Sequence, residues 1–163
     1  MDCLDRYESP LGGITLAGDG DALTGLWFDG QKYFADTLEG GGVEKNLPVF
    51  DSAKRWLDVY FKGISPDFTP PLNLRGSAFR KAVWDILLTI PFGRTMTYGQ
   101  IAARFSSRMS AQAVGNAVGR NPVSIIVPCH RVIGANGALT GYAGGLDKKI
   151  KLLELEKAEI SRK

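Results

Sequence analysis

The sequence predicts an α+β protein: a small mixed α/β N-terminal domain over residues 1–74, then a mainly helical C-terminal domain over residues 75–163 with a helix-turn-helix. Three observations carry that expectation. Short β-branched and aromatic runs, broken by glycine-rich turns, fill the start of the chain. Apolar residues at helical spacing dominate after Ser77. The charge changes sign at the same boundary: there are 6 Lys+Arg against 12 Asp+Glu through Leu74, and 14 against 5 from Arg75 onward, within a net charge of +3.

Tyr7, Ile14–Ala17 and Leu23–Phe28 read as short strands. Ser9–Gly13 and Gly18–Asp21 are the turns of an antiparallel meander, and Gly40–Gly42 marks a loop. Phe50, Ala53, Trp56, Leu57, Tyr60 and Phe61 fall at helical spacing, with Gly63 as the C-cap. Nothing in this half has the look of chemistry, and its aromatics read as core. Pro66 to Pro71 reads as a linker.

Ser77 is placed to cap a helix with Phe79, Val83, Ile86, Leu87 and Ile90 on its apolar stripe, and Pro91-Phe92-Gly93 stops it. Thr97-Tyr98-Gly99-Gln100 has the capping-box form and opens a helix carrying Ile101, Ala102 and Phe105. Ser110 caps the next, with Ala113, Val114, Ala117 and Val118 inward, and Asn121-Pro122 ends it. Helix, short turn and helix in basic surroundings is the pattern of a helix-turn-helix, although two ordinary packed helices share it. Ala111, Ala113, Gly115, Ala117 and Gly119 make the second helix narrow-sided, so that its backbone can approach a partner closely. From Asp147 to Ile160 the pattern is a charged amphipathic helix with Ile150, Leu152 and Leu153 inward.

No apolar run reaches membrane-spanning length, and Met1-Asp2-Cys3-Leu4-Asp5 is not a signal peptide. Two distant cysteines make no disulfide framework, and with one histidine they make no zinc site, so no metal and no cofactor are expected. A basic second half fits a polyanionic partner or a solvated basic face.

The chemistry centres on Ile125-Ile126-Val127-Pro128-Cys129-His130-Arg131-Val132-Ile133. A thiol, an imidazole and a guanidinium sit side by side in an apolar path, just after a proline that breaks regular structure. His130 and Arg131 can both stabilise a thiolate at Cys129, the reactive form of a cysteine. A Cys-His pair can equally be buried core.

The wider pattern resolves this. Asn121-Pro122, an apolar run, Pro-Cys-His-Arg-Val and then Gly141-Tyr142-Ala143-Gly144-Gly145-Leu146 closely resembles the O6-alkylguanine-DNA alkyltransferase family, from about Phe79 to Glu156. The resemblance implies DNA repair by direct reversal: alkyl transfer from O6-alkylguanine, and from O4-alkylthymine in some members, to Cys129, once per molecule. It implies His130 as base through a water, Glu156 orienting His130, Asn121 as a hinge, and Tyr98 as phosphate contact and proton donor. It implies a base pocket of Val118, Val132, Leu139, Gly141, Tyr142 and Ala143. DNA contacts are implied at Tyr98, Gln112, Ala113, Gly115, Arg120 and Arg131, with the second helix in the minor groove of double-stranded DNA and the target base flipped. A monomeric, cytoplasmic protein without membrane contact is the expected setting.

Two positions depart from the family pattern. Gln112 stands where an arginine commonly fills the gap left by the flipped base, with Arg108 and Arg120 as alternative wedges. Ala143 stands where many members have serine, so that the hydroxyl's hydrogen bond to O6 is lost and a backbone N–H at that position is left to serve. Three other functions compete. A non-catalytic binder of alkylated DNA would lack the nucleophile. A helix-turn-helix regulator would need base-reading side chains where alanine and glycine stand. A Cys-His hydrolase would need an oxyanion-hole pattern beside Cys129.

Overall fold

The computed structural model describes residues 2–159 and resolves them into two units. The first comprises residues up to Gly76 together with Pro122–Ser124, and the second comprises Ser77–Asn121 and the chain from Ile125 onward.

In the first unit, β1 (Cys3–Ser9), β2 (Gly12–Gly18) and β3 (Leu23–Phe28) form the expected meander. A short fourth strand, β4 (Val43–Glu44), pairs parallel to β1, giving the order β3-β2-β1-β4. This strand follows the Gly40–Gly42 loop and leaves no signal in the sequence, because two exposed residues carry no alternation. Helix α1 (Pro48–Tyr60) supplies Phe50, Ala53, Trp56, Leu57 and Tyr60 to the core beside Ile14, Leu16 and Leu26. Its C-cap is Phe61, and Gly63 lies two residues further on, at φ +79°. Trp27 folds its ring over Gly25, where any Cβ would overlap the indole.

The stretch read as a linker is tied down at its end. Leu23 N–H donates to Pro71 O at 2.8 Å, and Asn73 N–H donates to Leu23 O at 2.9 Å. The outer edge of β3 otherwise presents unpaired backbone groups, and this segment satisfies them. Residues 122–124 do the same further along: Leu26 N–H donates to Pro122 O (2.8 Å) and Ser124 N–H to Leu26 O (2.9 Å).

The second unit holds α2 (Ala78–Leu87), β5 (Met96–Thr97), α3 (Tyr98–Ala103), α4 (Ala111–Gly119), β6 (Val132–Ile133) and α5 (Leu146–Leu155). The three expected N-caps form. Ser77 accepts from Arg80 N–H, Ser110 accepts from Ala113 N–H, and Thr97 with Gln100 makes both bonds of the capping box. Helices α3 and α4 pack against each other, and Trp84 of α2 donates its indole N–H to Ala117 O of α4 at 2.8 Å. The residue filling the α2 stripe is therefore Trp84, with Val83 and Leu87, while Phe79 and Ile86 stay half-buried. Helix α5 ends earlier than expected, and Ile160 lies outside the described residues.

The parallel pair β5–β6 was not foreseen. It joins Met96 to Val132 and Thr97 to Ile133, fixing the start of α3 to the chain just after Cys129. Ile125 has φ +71°, a left-handed conformation that a β-branched residue adopts only under constraint, at a cost of about 1–2 kcal/mol. It opens the stretch that carries the site.

Candidate active site in the second unit

Cys129, His130 and Arg131 form a single 3-10 turn, entered through Pro128 and continued into β6. The lack of an N–H at Pro128 and the run Ile125-Ile126-Val127, all buried, hold this turn inside the unit. Cys129 is 5% exposed and His130 is fully buried.

Glu156 at the C-cap of α5 organises the turn. Its Oε2 accepts from His130 Nε2 (2.6 Å) and from Arg131 Nη2 (3.1 Å). Its Oε1 accepts from Arg131 Nε (2.8 Å) and from the Gly93 N–H (2.9 Å). Gly93 has φ +80°, and a Cβ there would crowd the Glu156 carbonyl at 3.1 Å, so only glycine brings that N–H to the carboxylate. Arg131 completes its bonding on Ile90 O at 2.7 Å and lies over the Phe92 ring. Burial raises the pKa of Glu156, but the hydrogen bonds and charges of His130 and Arg131 outweigh it and hold the carboxylate at about 2. Burial pushes His130 down, against the pull of Glu156. The pair at neutral pH is a carboxylate and a neutral imidazole, with Nε2–H on the Glu156 side and Nδ1 as the basic nitrogen.

Burial raises the Cys129 pKa, while side-chain hydrogen bonds from Asn121 and Tyr142 and the charge of Lys149 pull the other way. The resting sulfur is a thiol that needs a base. Thiolate stabilisation by His130 and Arg131 jointly, expected from their place beside Cys129, is not what the bonding of Arg131 allows. Arg131 is instead committed to Glu156 and Ile90, and the cationic charge that pulls the Cys129 pKa down is that of Lys149.

Asn121 sits at the end of α4 and donates its amide to Val127 O at 2.8 Å, tying that helix to the turn. The Tyr98 phenol lies 3.4 Å from Thr140 Oγ1, and burial raises its pKa, which keeps it a donor. Tyr142 is half-buried, with its ring edge-on to His130 at 6.5 Å. Val118 and Val132 are buried, Leu139 and Ala143 half-buried and Gly141 exposed.

An apolar cavity of about 420 Å³ opens among Tyr98, Gln112, Gly115, Gly134 and their neighbours. Gln112 is exposed at its rim, Ala113 and Gly115 are half-buried, and a Cβ at Gly115 would touch the Tyr98 ring at 3.7 Å. Arg120 is the half-buried C-cap residue of α4. Arg131, expected at the DNA surface, is turned inward and 7% exposed, because a buried carboxylate captures it.

Two sequence families match the chain: "6-O-methylguanine DNA methyltransferase, DNA binding domain" over residues 78–158 and "6-O-methylguanine DNA methyltransferase, ribonuclease-like domain" over residues 5–74. The chain belongs to the 6-O-methylguanine DNA methyltransferase family. The methylated-DNA–protein-cysteine methyltransferase of Mycobacterium leprae is 47% identical over 153 residues, covering 94% of this chain and 91% of that protein. The protein of the same name from Methanosarcina acetivorans is 48% identical, covering 92% and 95%. Among solved structures, Mycobacterium tuberculosis OGT in complex with DNA superposes with a TM-score of 0.83 at 47% identity, covering 93% of this chain and 91% of that one. The O6-methylguanine DNA methyltransferase of Methanococcus jannaschii gives 0.67 at 31%, covering 98% and 96%.

Among the described residues no cluster of three His, Cys, Asp or Glu side chains is placed to hold a metal, and no helix is long and apolar enough to cross a membrane.

Proposed function

We propose that this protein repairs O6-alkylguanine in double-stranded DNA by moving the alkyl group to Cys129, one reaction per molecule. The observation that carries the reading is a buried thiol in the same turn as a histidine held by an ionised glutamate, within the family's Pro-Cys-His-Arg motif. Guanine O6 leaves poorly unless it is protonated or hydrogen-bonded, so in-line attack on the alkyl carbon needs a strong nucleophile and a donor at the departing base.

The thiol proton passes through a water to His130 Nδ1, and Glu156 stabilises the imidazolium that forms. The Cys129 sulfur then bonds to the alkyl carbon as the carbon–oxygen bond breaks. Its electron pair returns to the guanine, which takes a proton from the Tyr98 phenol. The thioether has no easy exit, which makes the reaction stoichiometric.

The base must leave the stack to reach a buried sulfur. Val118, Leu139, Gly141, Tyr142 and Ala143 form its pocket, with the Ala143 N–H toward O6 and the Val132 carbonyl toward the guanine amino group. Helix α4, the second of a helix-turn-helix pair, enters the minor groove with Gln112, Ala113 and Gly115, and Tyr98 and Arg120 meet the backbone. Asn121 couples that helix to the site. The protein acts as a monomer in the cytoplasm, where reducing conditions keep the thiol available.

The test is incubation with an oligonucleotide carrying O6-methylguanine, followed by the mass of the intact protein. The expected result is one methyl per protein and no further rounds. Catalytic turnover, or an unchanged mass, overturns the reading.

A further inference from the structure

Helix α4 turns Val114, Ala117 and Val118 inward, all buried. Its outward crest is therefore Gln112, Asn116 and Gly119, with Ala113 and Gly115 on the flanks. Two features of this crest are unexplained by the protein's own packing. The first is its glycines, which weaken a helix relative to alanine. A Cβ at Gly119 would meet nothing within 4 Å, and one at Gly115 would meet only the Tyr98 ring, in ordinary contact at 3.7 Å. Alanine fits both places inside the protein, so the room is kept for something outside it.

The second feature is Asn116. It is exposed in the body of the helix, where asparagine is a poor former because its amide competes for backbone groups. It caps nothing: Ser110 and Arg120 hold the two cap positions, and its amide finds no partner among the described residues. Between Gln112 and Arg120 it is the one outward residue with a side chain longer than a methyl group.

A helix trimmed to glycine and alanine can approach the floor of a minor groove about 6 Å wide, the place assigned to α4 above. The one amide left between its ends meets that floor. Adenine and thymine show only acceptors there, N3 and O2, whereas guanine shows its N3 acceptor beside the N2 amino donor. A carboxamide holds a donor and an acceptor side by side. It pairs through two bonds with guanine and through one with adenine.

We propose that Asn116 reads the minor-groove edge of a base pair beside the flipped lesion and gives repair a preference for guanine there. The proposal rests on the function assigned above. Flipping fixes the register: once the damaged base occupies the pocket, Asn116 faces one defined pair. Undamaged DNA fixes no register, so the same contact averages out of its affinity. Gln112 lies one turn earlier on the same face. The two amides divide the work, Gln112 at the gap in the stack and Asn116 at the neighbouring pair.

The closing experiment measures single-turnover methyl transfer, at sub-saturating protein, from duplexes carrying one O6-methylguanine. The base pairs on either side of the lesion are changed one at a time from G·C to I·C, since inosine lacks only the 2-amino group. Diaminopurine·T restores that group on an A·T frame. At one of these positions the parent should react about tenfold faster with G·C and diaminopurine·T than with I·C and A·T. In Asn116→Ala, a change that favours the helix, the ratio should fall to about one. Equal rates at every position in the parent, or a ratio that survives in Asn116→Ala, overturn the proposal.

A parent that accepts no methyl group from any duplex defeats the function reading instead. Binding of Cys129→Ser to the same lesion duplexes, read by fluorescence anisotropy, then decides Asn116 by itself. The expected result is tighter binding to the amino-bearing pair, lost when Asn116→Ala is added. Equal affinities, or a preference that persists without Asn116, overturn the proposal.

Discussion

In the first unit, charged side chains meet mainly at the edges of the sheet. Arg6 pairs with Asp29, Lys54 with Asp5, and Tyr7 hydrogen-bonds Asp58, all with substantial exposure. Arg75 closes on Asp2 with two bonds, at 2.5 and 2.8 Å, and also holds Thr37 O. In the second unit the ionisable groups lie inside: Lys149, His130, Arg131 and Glu156 are all buried. Exposed pairs contribute little and cost little, whereas buried ones rarely improve on a well-packed apolar core. The acidic unit spends its charge on edges and termini, and the basic unit spends it on chemistry. Burial of charge, more than its amount, separates scaffold from site.

Glu156→Gln should give the largest effect. It leaves Arg131 buried without its carboxylate and His130 without its partner, so stability should fall by about 3–5 kcal/mol and methyl transfer should slow sharply. Denaturant melts and single-turnover rates check both. The same pair makes the parent acid-sensitive. Glu156 titrates at about 2 in the folded chain against an ordinary 4.5, so its contribution is complete above 4.5 and is lost as pH falls toward 2. His130 is also depressed from 6.5, so the unfolded chain takes up a proton that the folded one resists, and stability declines as pH drops below 6.5. A flat stability profile from neutral pH to 4 would contradict this account of the buried ions.

Arg75→Ala is the matched change in the scaffold. It should cost about 1–3 kcal/mol and leave the transfer rate at full occupancy unchanged. A comparable loss of rate would erase the distinction between the units.

The fold was legible where periodicity is long. The meander, α1, α2 and the three side-chain N-caps follow from alternation, helical spacing and Ser or Thr at the right offset. The two-residue strands β4, β5 and β6 were not, because pairing over so few residues is decided by tertiary neighbours. At the site, Cys129, His130 and Glu156 come together as the motif implied, while Arg131 turned inward and Lys149 was missed. A signal for Lys149 exists in the sequence. Lys149, Leu152, Leu153 and Glu156 are spaced i, i+3, i+4, i+7, one inward stripe with a charge at each end. Reading Ile150 into that stripe in place of Lys149 hid it.

The binding contrast gives a smaller effect. DNA affinity should fall steeply with salt, with little sequence preference, and first-unit neutral variants such as Lys62→Gln should leave the log–log slope unchanged. Smaller again is Gln112→Ala, which should slow repair of duplex DNA several-fold and spare single strands, where no partner strand needs holding. If Arg120→Ala slows duplex repair and Gln112→Ala does not, the gap is filled from the end of α4.

The two cysteines offer the most direct test, one in each unit: Cys3 half-buried in β1, Cys129 buried beside His130. After complete reaction with a methyl-labelled O6-methylguanine oligonucleotide, proteolysis and peptide mapping locate the label. All of it on the peptide carrying Cys129, and none transferred to Cys129→Ser, is the predicted result. Label on Cys3, or transfer that persists in Cys129→Ser, would contradict the account.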